Sequence, residues 1–230
     1  MKKLLVVVSL LFASVVWAGD LRDGLAAFEN KNYPVALAKF RLAAAQGNAS
    51  AQVIIGAMFE KGLGVAQDYV EAVRWYRLAA AQGDADAQVN LGVMFSMGQG
   101  VAQDYVEAVR WYRLAAAQGD ARAQYNLGGS FNFGKGVVQD YAEAMRWYRL
   151  AAAQGHTFAQ TGIGFMFDHG RGVIQDYTRA HMWYNLAAVK GDKDAVKNRD
   201  KNADRMTPQQ IARAQQLARE CAARNFKNCD

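Results

Sequence analysis

The stretch GVAQDYVEAVRWYRLAAAQGDA occurs twice without a single change, at 64–85 and again at 100–121. Weaker copies restart at Gly136 and Gly172, so every restart falls 36 residues after the last. A fixed period in the range of about 20–50 residues means that one supersecondary unit is built repeatedly. Such a unit cannot bury its apolar faces alone, so neighbouring units must stack and bury them on each other. Single-residue columns keep the same spacing: Gly47, Gly83, Gly119 and Gly155; Trp75, Trp111, Trp147 and Trp183; Gly56, Gly92, Gly128 and Gly164.

Each unit reads as two helices. In the unit from Asp84 to Gly119, Ala87, Leu91, Gly92 and Phe95 fall within one arc of about 140°, an apolar helix face. Asp84 is a good N-cap, and Gly98 and Gly100 supply the left-handed conformation that stops a helix. The second half opens on Asp104 with Glu107 three residues later, a spacing that predicts a capping box. Tyr105, Ala108, Trp111, Tyr112, Ala115 and Ala116 then share another face. Small residues such as Gly92 and Ala108 allow close approach, and the aromatics fill the remaining volume. The expected fold is an all-α, right-handed α-solenoid of about a dozen helices. Its units cover roughly 20–47, 48–83, 84–119, 120–155 and 156–191, and a helical cap follows over 192–230. The first unit is abbreviated, lacks the GxGV loop and reads as the N-terminal cap.

The two ends are different in kind. Residues 1–18 combine Lys2 and Lys3 with the apolar run Leu4–Val16 and the small residue Ala18, the pattern of a secretory signal peptide cleaved between Ala18 and Gly19. The run is too short for a stable span, and no later segment is apolar enough, so no integral membrane segment is expected after cleavage. The chain is 52% hydrophobic and 21% charged. Without the two leader lysines its formal charge falls from +6 to about +4, spread along the chain, which gives no footprint for nucleic acid. Cys221 and Cys229 are the two cysteines. In an oxidising compartment they are expected to form a disulfide. Eight helical residues rise about 12 Å, too far for that bond, so the helix should end near Asn225 and the tail fold back.

The pattern AxAQxxLGxMFxxGxGVxQDYxEAxRWYRLAAAQG resembles the Sel1-like repeat, a relative of the tetratricopeptide repeat, over roughly Asp20 to Gly191. The tail AVKNRDKNADRMTPQQIARAQQLAREC resembles the terminal cap of exported bacterial members, with Thr207 as N-cap and Pro208 in the first turn. The resemblance implies a protein-interaction scaffold or adaptor, several relatives acting in the bacterial envelope or in contact with host cells. Cysteine-rich relatives, some described as penicillin-binding, carry a cysteine pair in every unit. This chain has a single terminal pair, which weakens any carry-over of β-lactam chemistry.

If the shared letters build the scaffold, recognition should lie where the copies differ. The variable positions of the first helices are Val53, Ala57, Glu60 and Lys61; Val89, Val93, Ser96 and Met97; Tyr125, Gly129, Asn132 and Phe133; and Thr161, Phe165, Asp168 and His169. They point about 180–280° round the helix from Ala87, away from a core arc centred near about 70°. Stacked, they predict an extended groove, with Val89, Val93, Met97, Tyr125, Phe133, Phe165, Asp168 and His169 as candidates to hold a protein or peptide. The alternative is a solvent face free to drift, but Met97, Tyr125, Phe133 and Phe165 are poor choices for idle exposure. Arg74, Arg110 and Arg146 form a column three residues after Glu71, Glu107 and Glu143, the spacing of exposed intrahelical ion pairs.

No catalytic constellation is legible. Ser50, Ser96 and Ser130 sit in no GxSxG elbow, and His156, His169 and His181 have no metal-ligand spacing. The GxG triplets follow helices rather than strands, so they read as helix stops and not phosphate loops. The expectation is a non-enzymatic, monomeric, exported binding protein without cofactor, in the periplasm or secreted. An exported factor that modulates contact with host cells, and a β-lactam-binding or peptidoglycan-related enzyme, are the alternatives.

Overall fold

A computed structural model describes residues 19–227 and 229. The expected leader, 1–18 with Ala18, lies outside the described residues. The chain forms two compact units, Met1–Trp111 and Tyr112–Asp230. The first contains α1 (19–29), α2 (Tyr33–Ala45), α3 (Ala49–Lys61), α4 (Tyr69–Ala81) and α5 (Ala85–Met97). The boundary falls inside α6 (Tyr105–Ala117). The second unit continues with α7 (Ala121–Phe133), α8 (Tyr141–Ala153), α9 (Thr157–His169), α10 (Tyr177–Val189), α11 (Lys193–Ala203) and α12 (Pro208–Ala223). Among the described residues there are only helices, turns and bends, and the fold is an all-α solenoid.

Local signals set the helix ends. Asn48, Asp84, Asp120, His156 and Asp192 cap α3, α5, α7, α9 and α11, each accepting a hydrogen bond from a backbone N–H in the first turn. Gly62, Gly98, Gly134 and Gly170 end α3, α5, α7 and α9 with φ between 65° and 69°. The glutamine of each QDY triplet explains its recurrence. Gln67, Gln103, Gln139 and Gln175 reach back seven residues, and each Nε2 donates to a carbonyl at the end of the preceding helix at 2.7–2.8 Å. This satisfies one of the orphan acceptors of a helix C-terminus.

One local expectation fails. Asp104 does cap α6, accepting from the Val106 and Glu107 amides, but Glu107 does not complete a capping box. The Asp104 N–H is already donated to the Phe95 carbonyl at 2.9 Å, and Glu107 instead pairs with Arg110 at 2.8 Å. A reciprocal box does form where no such loop bond competes, between Thr207 and Gln210 at the start of α12.

Packing explains the glycine column. A Cβ on Gly56 would lie 2.6 Å from the Tyr76 ring, and one on Gly164 would lie 2.6 Å from Tyr184. Tyr76 and Tyr184 are fully buried, so the paired helix can approach only because the Cβ is missing. Gly64 and Gly172 come equally close to Tyr33 and Tyr141, at the start of the preceding unit's second helix, which holds the stacking register. In the first unit one core gathers around Phe40, Ile55 and Met58 and another around Tyr76, Leu91 and Met94. In the second unit one core runs from Ala144 to Cys221.

The last helix closes the second unit. Leu42, Leu78, Leu114 and Leu150 are each 42–51% exposed on their second helices, whereas Leu186, at the same register, is 6% exposed. Its helix α10 packs against α12, whose Ala214, Ala218 and Cys221 join the core. Cys221 is bonded to Cys229. The helix stops at Ala223, and Asn225 and Phe226 take left-handed φ values of 51° and 62°. That turn brings the tail back, as the spacing of the two cysteines requires.

Candidate functional site

The second unit carries a surface cavity of about 400 Å³ between α7, α9 and α11, with Tyr148 of α8 at its floor. From the first-helix positions that vary between copies it takes Tyr125, Asn132, Phe133, Thr161 and Phe165. One lining position is smaller than in the other copies, and a Cβ there would lie 3.3 Å from the Tyr148 ring. Gly162 stands where Ile54, Asn90 and Asn126 stand in the earlier repeats, and it borders the cavity.

Its walls are aromatic. Tyr125 stacks on His156 at 4.9 Å and lies 5.9 Å from Tyr148 and 6.1 Å from Phe158. Phe133 and Phe158 are 61% and 58% exposed, an unusual position for a phenyl ring. Phe165 is half-buried, with His169 packed on it at 4.1 Å and the Arg171 guanidinium 4.8 Å from its centre.

The polar groups come mainly from α11. Asp192 caps that helix through the Asp194 and Ala195 amides and accepts the Thr161 hydroxyl at 2.7 Å. Asp194, Lys197 and Asn198 complete that side. Asn132 is 2% exposed and its Oδ1 has no partner. Burial, followed by the nearby charge of Asp192, raises the Tyr125 pKa. Burial likewise raises Tyr148, and it lowers His156, which is held as an uncharged cap accepting from the Ala159 amide.

Asp168 is bonded to Asn202 at 3.1 Å and Arg205 at 3.3 Å, so its carboxylate ties α9 to the end of α11. His169 is exposed at the end of α9. Val93 is half-buried and Met97 is 62% exposed, both on α5 of the first unit, and neither borders this cavity. Val89 is 3% exposed, so its side chain contributes packing and not contact area. Phe158, Gly162, Asp192, Asp194, Lys197 and Asn198 escaped the sequence reading. Phe158 left a signal, because it replaces Ser50, Asp86 and Arg122 at a polar register. The α11 residues left none, since they fall outside the repeats.

A larger cavity of about 670 Å³ lies between the outer face of α8 and the C-terminal turn. Its Arg146 is already committed to Glu143 at 2.6 Å and to the Trp147 ring at 4.3 Å. The corresponding Arg110 pairs with Glu107 and covers Trp111 in the same way. Such exposed pairs are worth little each. The Ser96 and Ser130 hydroxyls donate to carbonyls of their own helices. His181 is buried in α10. Among the described residues, no group of three or more His, Cys, Asp or Glu could hold a metal, and no helix is long and apolar enough to cross a membrane.

Comparison with known proteins agrees with this architecture. A family model described as the Sel1 repeat matches four times, at 49–84, 85–120, 121–156 and 157–192. No curated protein matches the chain. Among solved structures, a Sel1 repeat protein from Oxalobacter formigenes is 40% identical, with a TM-score of 0.69, over 76% of this chain and 72% of that one. A protective antigen present in uropathogenic Escherichia coli strains, described as displaying an SLR fold, is 28% identical with a TM-score of 0.60. It is covered over 54% of its own length and covers 93% of this chain. With four tandem matches spanning more than half of its residues, the chain belongs to the Sel1 repeat family.

Proposed function

We propose that the protein is a non-catalytic scaffold that holds a segment of another protein in the cavity between α7, α9 and α11. The observation that carries this reading is the pair of exposed phenyl rings, Phe133 and Phe158, beside an open cavity of about 400 Å³. Aromatic anchors in a pocket are the groups that dominate binding energy at protein interfaces. Rigid helices hold them, so little ordering cost accompanies binding. The compartment proposed is the bacterial cell envelope. The leader-like residues 1–18 and a disulfide in the C-terminal turn both suit export to an oxidising space. A second reading keeps the groove and takes the partner from a host cell; one similar protein is a protective antigen present in uropathogenic Escherichia coli strains.

The test is a double substitution, Phe133→Ala with Phe158→Ala. Both rings are largely in solvent, so the circular dichroism spectrum and melting temperature should stay close to wild type. Cross-linking in envelope fractions should lose the partners that wild type retains. Unchanged capture by a folded double variant would sink this reading.

A further inference from the structure

We propose that the cavity between α7, α9 and α11 recognises a basic side chain, arginine in particular, on an extended segment of the partner protein. The inference rests on the scaffold reading above and names the chemistry of its ligand.

Three independent features of the site point the same way. First, its walls are aromatic faces, which attract a cation through the ring quadrupole and stack well on a planar guanidinium. The protein already satisfies arginine in this manner close by: the Arg171 guanidinium sits 4.8 Å from the centre of Phe165 and 5.5 Å from that of Tyr141. Second, the lining holds one acceptor without a donor. Asn132 borders the cavity at 2% exposure with its Oδ1 unpartnered, and a buried acceptor left without a donor is uncommon. Third, two carboxylates border the cavity. Asp192 is engaged by Thr161 and the α11 amides, while no described residue pairs with the exposed carboxylate of Asp194. Asp192 also places negative potential inside the site, where it adds to burial in raising the Tyr125 pKa.

Arginine carries five N–H donors and no acceptor, so it complements a site that offers an unpartnered acceptor and aromatic faces. The Tyr125 and Tyr148 hydroxyls can serve in either role. Lys197 and Asn198, one turn beyond Asp194 on α11, supply donors for the backbone carbonyls of the segment that carries the arginine. An open site of about 400 Å³ is within the usual range of roughly 300–1,000 Å³ for ligand clefts and cavities.

The experiment pans a random heptapeptide display library against the purified protein, then measures the selected peptide by isothermal titration. Arginine should recur among the selected sequences. Exchanging that arginine for citrulline, which keeps the shape and loses the charge, should weaken binding about tenfold. Asp194→Asn, at an exposed position that leaves the fold intact, should weaken it about fivefold, and added salt should weaken it further. Selected peptides without basic residues, or indifference to both citrulline and Asp194→Asn, would overturn the arginine inference and leave the groove reading standing. If no peptide is retained, or binding survives Phe133→Ala with Phe158→Ala, the groove reading fails as well.

Discussion

Gly128 and Gly129 are neighbours in α7, yet alanine at the two positions should shift stability in opposite directions. Helix propensity treats them alike: each exchange should gain about 1 kcal/mol in a helix interior. Packing separates them. A Cβ on Gly128 would lie 2.6 Å from Tyr148 Cε1, with Tyr148 4% exposed and unable to withdraw. Overpacking of this kind costs about 1–3 kcal/mol, and a clash with ring carbons belongs near the upper end. Gly128→Ala should therefore lose about 2 kcal/mol net. A Cβ on Gly129 would meet nothing nearer than the Tyr148 hydroxyl at 3.8 Å, an ordinary contact, so its propensity gain of about 0.5–1 kcal/mol survives. For a chain of this size 1 kcal/mol moves the midpoint about 2–4 °C. Thermal and urea unfolding followed at 222 nm should then rank Gly129→Ala above wild type and Gly128→Ala some 4–8 °C below it. Two stabilising substitutions would refute the claim that the glycine column exists for helix contact.

Two further outcomes are expected. Gln160 is fully buried with neither amide atom bonded, because Lys190 stands where Gln82 and Gln154 bond Gln52 and Gln124. Lys190→Gln should restore that bond and raise the urea midpoint by the equivalent of about 1 kcal/mol; a fall would show that the Lys190 contact with the Phe226 ring, at 4.2 Å, matters more. Burial, then Arg199, holds the His181 pKa below its ordinary value of 6.5. The unfolded chain therefore takes up that proton first, so this contribution to stability is present above pH 6.5 and is lost as pH falls through the folded-state value. Melting temperature should drop between about pH 7 and 5. His181→Met, matching the buried Met145 at the same register, should weaken that dependence and leave the share contributed by His156.

The repeat itself made the helices legible. Each cap, stop and apolar face is a local signal, and 36-residue repetition states it several times over. Thus Asp84, Gly98 and the Gly56 column take the positions expected of them. The Glu107 expectation failed for a reason beyond its own helix, since the Phe95 carbonyl of the preceding helix had already taken the capping amide.

The cavity was legible only on one side. Tyr125, Asn132, Phe133, Thr161 and Phe165 could be found by comparing copies, because departure from a packing consensus marks positions that packing does not need. Helical angle alone could not show that Val89 is buried, since burial depends on what lies across from a face. Nor could it bring Asp192, Asp194 and Lys197 to Phe165: Asp192 repeats the N-cap of every first helix and so reads as scaffold, and Asp194 and Lys197 follow the last repeat. By itself the sequence determined the unit, its caps and the stacking of helices, all governed by short-range chemistry written in every copy. The tertiary structure alone decided which divergent side chains share a cavity, because that depends on contacts between helices 30 or more residues apart.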